Sequence, residues 1–259
     1  MDVHDKLNKT MLQVPKLKNP PIIETVLDID CELQPAFNIK EIEKAARKAL
    51  ARDYPKLRPI FFQDHKVEAT PDKKVKYSVE GGLQDFQFLS PDEKQIVQYR
   101  SQGFSFNRLA PYTSLQDYLP QIKKRWLQYA KIAKPVQVKS VRLRYINRIL
   151  LPWSGGNVNL DEYILNGPRL ADPERLTLTG FLDQYSAIDR ESGYQINSVL
   201  TVQPAENDNL PIIFDNGVVA TETGNVDWAR IRKMIIGLRE LNNHIFVKTL
   251  TEKCLNLFQ

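Results

Sequence analysis

From Ile22 to Cys31 the chain alternates. Ile23, Thr25, Leu27, Ile29 and Cys31 fall on one side, and Glu24, Asp28 and Asp30 on the other. A period of two is that of a half-buried β-strand. Lys18-Asn19-Pro20-Pro21 just ahead bars a helix and forces an extended entry. After Asn38 the period changes: Ile39, Ile42, Ala45, Ala46, Ala49 and Leu50 recur at helical spacing. Asn38 followed by Glu41 has the form of a capping box, so a helix is expected to about Arg52. Short strand-like runs follow at 59–63, 74–79, 85–89, 95–100 and 104–109. Pro71-Asp72, Gly81-Gly82, Pro91-Asp92 and Gly103 read as the turns between them, with Gly81-Gly82 as a hairpin turn.

Asp117 can cap a second helix, whose early Pro120 is tolerated because the first turn lacks intrahelical N–H partners. Its apolar stripe is Leu119, Ile122, Trp126, Tyr129 and Ala133, and Pro135 ends it. The pattern then restarts. Residues 136–151 predict a long strand, 160–165 a short helical turn, and 176–188, 194–203 and 210–220 three strands. Residues 226–250 predict a long helix and 252–258 a last helical stretch starting at Thr251. The class is α+β, with antiparallel sheets and long packing helices. The expected organisation is an N-terminal flexible arm at 1–18 and two halves, 19–134 and 135–259, in one continuous globular unit.

Each half reads strand, helix, three to five strands, long helix. That order resembles the duplicated architecture of the TATA-box-binding-protein type, in which a long helix lies across a bent sheet in each half. The halves share no residue-level identity, so duplication is an inference from topology, and fold analogy carries no function. Five segments also resemble a family: Asn19-Pro-Pro-Ile-Ile-Glu24, Phe104-Ser-Phe-Asn-Arg-Leu-Ala-Pro-Tyr112, Arg142-Leu-Arg-Tyr-Ile-Asn-Arg148, Asp161-Glu-Tyr163 and Leu241-Asn-Asn-His-Ile-Phe-Val-Lys-Thr-Leu-Thr251. Together they are similar to a sporadically distributed prokaryotic family of proteins of about 260 residues. That family's late strand carries an Asp-Ile-Asp pattern; this chain has Ile212-Ile-Phe-Asp-Asn216 instead. The resemblance implies a fold and a lineage, and no reaction.

Charge changes the picture more than composition does. The chain has 36 Lys and Arg against 31 Asp and Glu. Between Asp117 and Asp161 there is no acid, yet nine bases: Lys123, Lys124, Arg125, Lys131, Lys134, Lys139, Arg142, Arg144 and Arg148. Residues 161–225 reverse the sign, with eleven acids and three bases. Such segregation points to an outside partner or to internal pairing. No apolar run is long enough to span a bilayer, and the N-terminus has no signal-like block. Cys31 and Cys254 stand far apart in apolar settings, which fits two buried thiols in a reducing cytoplasm. His4, His65 and His244 are isolated, so no metal site and no cofactor is expected.

Arg142, Arg144 and Arg148 share strand parity, with Ile146 between them. Arginine forks bind phosphate or carboxylate, so this row is a candidate anion or nucleic-acid site. The competing reading, preferred here, is internal ion pairing, with Glu24, Asp28, Glu174 and Asp183 as candidate partners. Lys123, Lys124 and Arg125 form a basic helix face, more commonly a solvated one. Phe104, Phe106, Arg108 and Tyr112 resemble RNA-binding aromatics in type, but buried phenylalanine is the commoner outcome. No nucleophile elbow, phosphate loop or zinc-protease motif is present. Asp28 with Asp30, or Asp161 with Glu162, would be the carboxylate pairs of any acid–base chemistry. The expectation is therefore a non-catalytic cytoplasmic binding protein with a protein partner. The alternatives are a nucleic-acid binder using 118–160 and a carboxylate–arginine hydrolase or transferase. A dimer is compatible with the long last helix, and no symmetry signal argues for it.

Overall fold

The computed structural model describes residues 17–34, 38–68, 76–155, 158–165, 167–172, 174–221, 224–225 and 227–259. The expected arm before Leu17 and the turn at Pro71-Asp72 lie outside these residues. The class is α+β. Nine strands and four α-helices follow in the order β1 (Ile22–Glu32), α1 (Ile39–Leu50), β2 (Lys56–Glu68), β3 (Lys76–Leu89), β4 (Gln95–Arg100), β5 (Gly103–Leu109), α2 (Leu115–Ala133), β6 (Gln137–Pro152), β7 (Leu182–Ile188), β8 (Gln195–Val202), β9 (Asn209–Ala220), α3 (Trp228–Thr249) and α4 (Glu252–Asn256). The strands belong to one sheet, not several, in the order β2-β3-β4-β5-β1-β6-β9-β8-β7. Pairings of β2 with β3, β3 with β4, β4 with β5, β7 with β8 and β8 with β9 are antiparallel.

The fold has two compact units. The first comprises Val26–Val141 and Thr221–Arg232. The second comprises, among the described residues, the chain up to Thr25 with Arg142–Ala220 and Lys233–Gln259. In the first, Asn38 caps α1, its side chain accepting from Lys40 N at 3.0 Å. Ser114, not Asp117, caps α2: its hydroxyl accepts from the Asp117 N–H, satisfying a donor that a helix start leaves unpaired. Along α2 the 3.6-residue period buries Leu115, Tyr118, Ile122, Trp126, Tyr129 and Ala133. Trp126 and Tyr129 meet Phe104 and Tyr99, with centroids 6.0 Å (Phe104–Trp126) and 5.3 Å (Tyr99–Tyr129) apart. Edge-on aromatic pairs of this kind add about 0.5–1.5 kcal/mol each beyond their area burial.

In the second unit, the odd residues Leu143, Tyr145, Asn147, Ile149 and Leu151 of β6 are buried. Asn147 donates to Phe214 O at 3.0 Å. From α3, Asn242 donates to Leu143 O at 3.1 Å, and Phe246 stacks on Phe214 at 5.9 Å. Gly237 lets α3 approach closely: a Cβ there would lie 3.2 Å from the Tyr194 ring.

Three expected boundaries shift. Gly81-Gly82 is not a hairpin turn; it lies inside β3, opposite Gln63 and Phe62. The pair reads as a turn by composition, but Phe62 fills the missing side-chain space, since a Cβ on Gly82 would sit 3.1 Å from its ring. Residues 76–79 and 85–89 of the expected runs are thereby parts of one strand. Residues 176–181 do not join β7, which starts at Leu182.

Candidate functional site

Within the second unit, the even residues of β6 lie on the face opposite its core. Arg142 is exposed, while Arg144, Ile146 and Arg148 are half-buried. Arg144 grips Asp215 of β9 with both arms of its fork, Nε donating to Oδ1 at 2.6 Å and Nη2 to Oδ2. Gly217 lies beside this fork, where a Cβ would make ordinary contact 3.7 Å from the Arg144 chain. Arg148 donates to Gln203 at 3.3 Å and to Glu206. Asp215 and Glu206 are thus acids that meet Arg144 and Arg148 of this row. Asp215 lies in the Ile-Ile-Phe-Asp-Asn stretch, and its strand pattern was the signal available.

Within the first unit, Asp28 and Asp30 share a face of β1 and meet Arg100 of β4. Arg100 Nη2 stands 2.8 Å from Asp30 and 3.5 Å from Asp28. Ser105 donates to Asp28, and Ser140 to Asp30 at 2.9 Å. Both acids are thereby engaged by a cation and a hydroxyl. Nearby, Asp85 is buried and accepts from Ser101 N at 3.1 Å; burial pushes its carboxyl above the ordinary value. Phe104 and Phe106 are buried, and Arg108 lies 5.3 Å from the Tyr118 ring centroid with Nη2 on Pro111 O at 3.4 Å.

The basic helix separates into two kinds of residue. Lys123 and Lys124 are exposed, but Arg125 is 1 % exposed. Arg125 spans from α2 to the segment after α1. It donates to Asp53 and to Gln128 at 2.8 Å, and lies over the Tyr54 ring at 4.8 Å. Lys124 Nζ reaches the same carboxylate at 3.0 Å. These two cations hold the Asp53 carboxyl below the usual range. A helical wheel places Arg125 beside Trp126 at the stripe's margin. Its burial depends on Asp53 and Tyr54, about seventy residues away, and periodicity carries no sign of that.

The β2–β3 ribbon extends the strand-like runs expected at 59–63 and 85–89. β4 pairs with only Phe86–Leu89 of β3, so the stretch of β3 facing 61–68 has β2 as its one strand neighbour among the described residues. Phe61 is 69 % exposed, and Tyr77 62 %. Register places His65 opposite Val79, and Tyr77 shares Val79's face. Phe61, His65, Tyr77 and Val79 therefore crown one face, with His65 Nδ1 on the Tyr77 hydroxyl. This cluster was hidden because Gly81-Gly82 read as a turn and split the strand.

Among the described residues no group of three His, Cys, Asp or Glu is placed to hold a metal ion, and no helix is long and apolar enough to cross a membrane. Fold and surface together define an α+β protein with a nine-stranded sheet, ion-paired polar faces and an aromatic ribbon. Comparison with protein-family models, curated proteins and solved structures returns no match.

Proposed function

We propose that this is a non-catalytic cytoplasmic binding protein that recognises a protein partner through the β2–β3 ribbon. The observation that carries the reading is the exposed aromatic face, with Phe61 and Tyr77 more than half in solvent on a ribbon at the end of the strand order. Exposed apolar clusters and unpaired strand edges are unfavourable on a solitary protein and are what β-strand addition uses. The buried, reduced Cys31 and Cys254 support a reducing compartment. Internal pairing of Arg144 and Arg148 counts toward a protein partner over nucleic acid, since both forks already hold carboxylates.

The duplicated architecture is proposed on strand order. Both β1-β5-β4-β3-β2 and β6-β9-β8-β7 place the last strand of a half next to its first and then run backwards. Membership of the sporadically distributed prokaryotic family is proposed on the motifs above.

The test is affinity capture from native lysate at low and high salt, with the parent and with Phe61→Ser/Tyr77→Ser. Expected is a partner that survives high salt on the parent and is lost by the variant. Equal capture by both, or no specific partner, overturns the reading. The nucleic-acid alternative makes the opposite forecast: labelled RNA or DNA would bind, release steeply with salt, and bind less to Arg142→Ala/Arg144→Ala/Arg148→Ala.

A further inference from the structure

The corner of the first unit where the segment after α1 meets α2 carries an open surface cavity of about 590 Å³, lined by Arg52, Asp53, Pro91, Pro120, Gln121, Lys124 and Arg125. This is within the size range of small-molecule sites, roughly 300–1,000 Å³. Its walls are fixed. Tyr54, 2 % exposed, accepts from Gln121 Nε2 at 2.9 Å and donates to Gln95 Oε1 at 2.9 Å, tying α2 to β4. The Pro91 turn is held by Ser90, which donates to Asp92 at 2.5 Å and accepts from Gln95 N at 3.0 Å.

The charge of the lining is unbalanced. Three cations, Arg52, Lys124 and Arg125, face one carboxylate, Asp53. Arg125 is buried, and its Nε carries no hydrogen-bond partner. A buried donor without an acceptor is unfavourable, and the net positive charge of the lining is what favours an oxyanion here. A dianion would bring the lining to neutrality. Pro91 and Pro120 add flat apolar surface, and the Gln121 amide keeps an acceptor oxygen that can read a donor on the ligand's body.

We propose that this cavity binds an organic phosphate monoester of mononucleotide size, its phosphate on Arg52, Lys124 and Arg125 and its body against Pro91 and Pro120. The assignment is independent of the ribbon: it uses other residues and predicts a small ligand.

The experiment is titration calorimetry of the full chain with adenosine 5′-monophosphate, inorganic phosphate and adenosine as separate probes. Arg52→Ser/Lys124→Ser is the variant, chosen because both residues are solvent-exposed and fold integrity is then readable from an unchanged melting temperature. Expected is saturable one-to-one binding of the nucleotide, at least about tenfold tighter than either fragment, and weakened at least about tenfold by the double variant. No saturable binding to the parent overturns the proposal. So does equal affinity in a folded double variant, and inorganic phosphate binding as tightly as the nucleotide overturns the role of the proline walls.

Discussion

Asn242, 2 % exposed in α3, joins three pieces of chain. It donates to Leu143 O at 3.1 Å and to Leu238 O at 3.0 Å, and accepts from Asn216 Nδ2 at 2.9 Å. Asn242→Ala strands a buried carbonyl and a buried amide, so a loss of about 2–4 kcal/mol is expected in urea denaturation, while half-buried Asn243→Ala should stay within about 0.5 kcal/mol. Equal effects of the two would refute the network. Asp85 gives a prediction of opposite sign. Its folded pKa is raised above the ordinary 3.8 by burial. The unfolded chain therefore ionises first, and the group costs stability once pH rises above 3.8, with the full cost present above its folded pKa. Asp85→Asn keeps an acceptor for Ser101 N and should be more stable than the parent at pH 7, with the gain vanishing below pH 3.8. Denaturation midpoints at the two pH values decide it, and a gain independent of pH would exclude the ionisation argument. The family-like motifs take on physical content at this scale. In Arg142-Leu-Arg-Tyr-Ile-Asn-Arg148, Leu143 receives Asn242, Arg144 holds Asp215, Asn147 reaches Phe214 O and Arg148 meets Glu206. Parity alone put the three arginines on one face. Asp215 and Glu206, which meet Arg144 and Arg148, come from β9 and the loop before it, which no local pattern names.

Elements were legible where one face is buried and the other wet. β1 shows this over Thr25–Cys31, and β4 occupies the strand-like run expected at 95–100. Legibility failed where burial no longer follows a period. β7 is exposed at every position, so the apolar-rich 176–188 gave no sign of where pairing begins. In β3 two glycines mimic a turn because composition cannot reveal a cross-strand phenylalanine. Gly103 shows when a glycine signal is true. It closes the two-residue Ser101-Gln102 connection between β4 and β5, pairs with Arg100, and has φ +145°. A Cβ there would lie 2.1 Å from Ile29 O, a backbone atom that cannot swing away. Gly103→Ala should therefore cost at least about 3 kcal/mol or abolish folding, whereas Gly193→Ala, strained in φ but facing open space, should cost only about 1 kcal/mol. Circular dichroism melts of the pair test this, and similar losses would show that φ alone, not the close approach, sets the cost.

Over the whole chain, the charge segregation resolves into contacts. Arg144 and Arg148 from the acid-free stretch meet Asp215 and Glu206 from the acid-rich one, both within the second unit. The lysines of α2 remain exposed, with Lys124 on Asp53. Two units do not mean two independent foldings. β1 passes between them at Thr25–Val26, β6 at Val141–Arg142 and α3 at Arg232–Lys233. Three elements are thus continuous in sequence through the division, and this covalent continuity is the ground for expecting the units to melt together. One cooperative transition is the consequence. The cysteines report on it site by site: Cys31 lies in the first unit and Cys254 in the second, 6 % and 0 % exposed. Burial pushes both thiols up to about 12, so neither supplies appreciable thiolate in the folded protein at neutral pH. Ellman's reagent should therefore find almost no native thiol, and both should become reactive across urea with a common midpoint. Asn242→Ala, placed in the second unit, should move the Cys31 midpoint as far as that of Cys254. If Cys254 alone responds, the units unfold separately and the argument from shared elements fails.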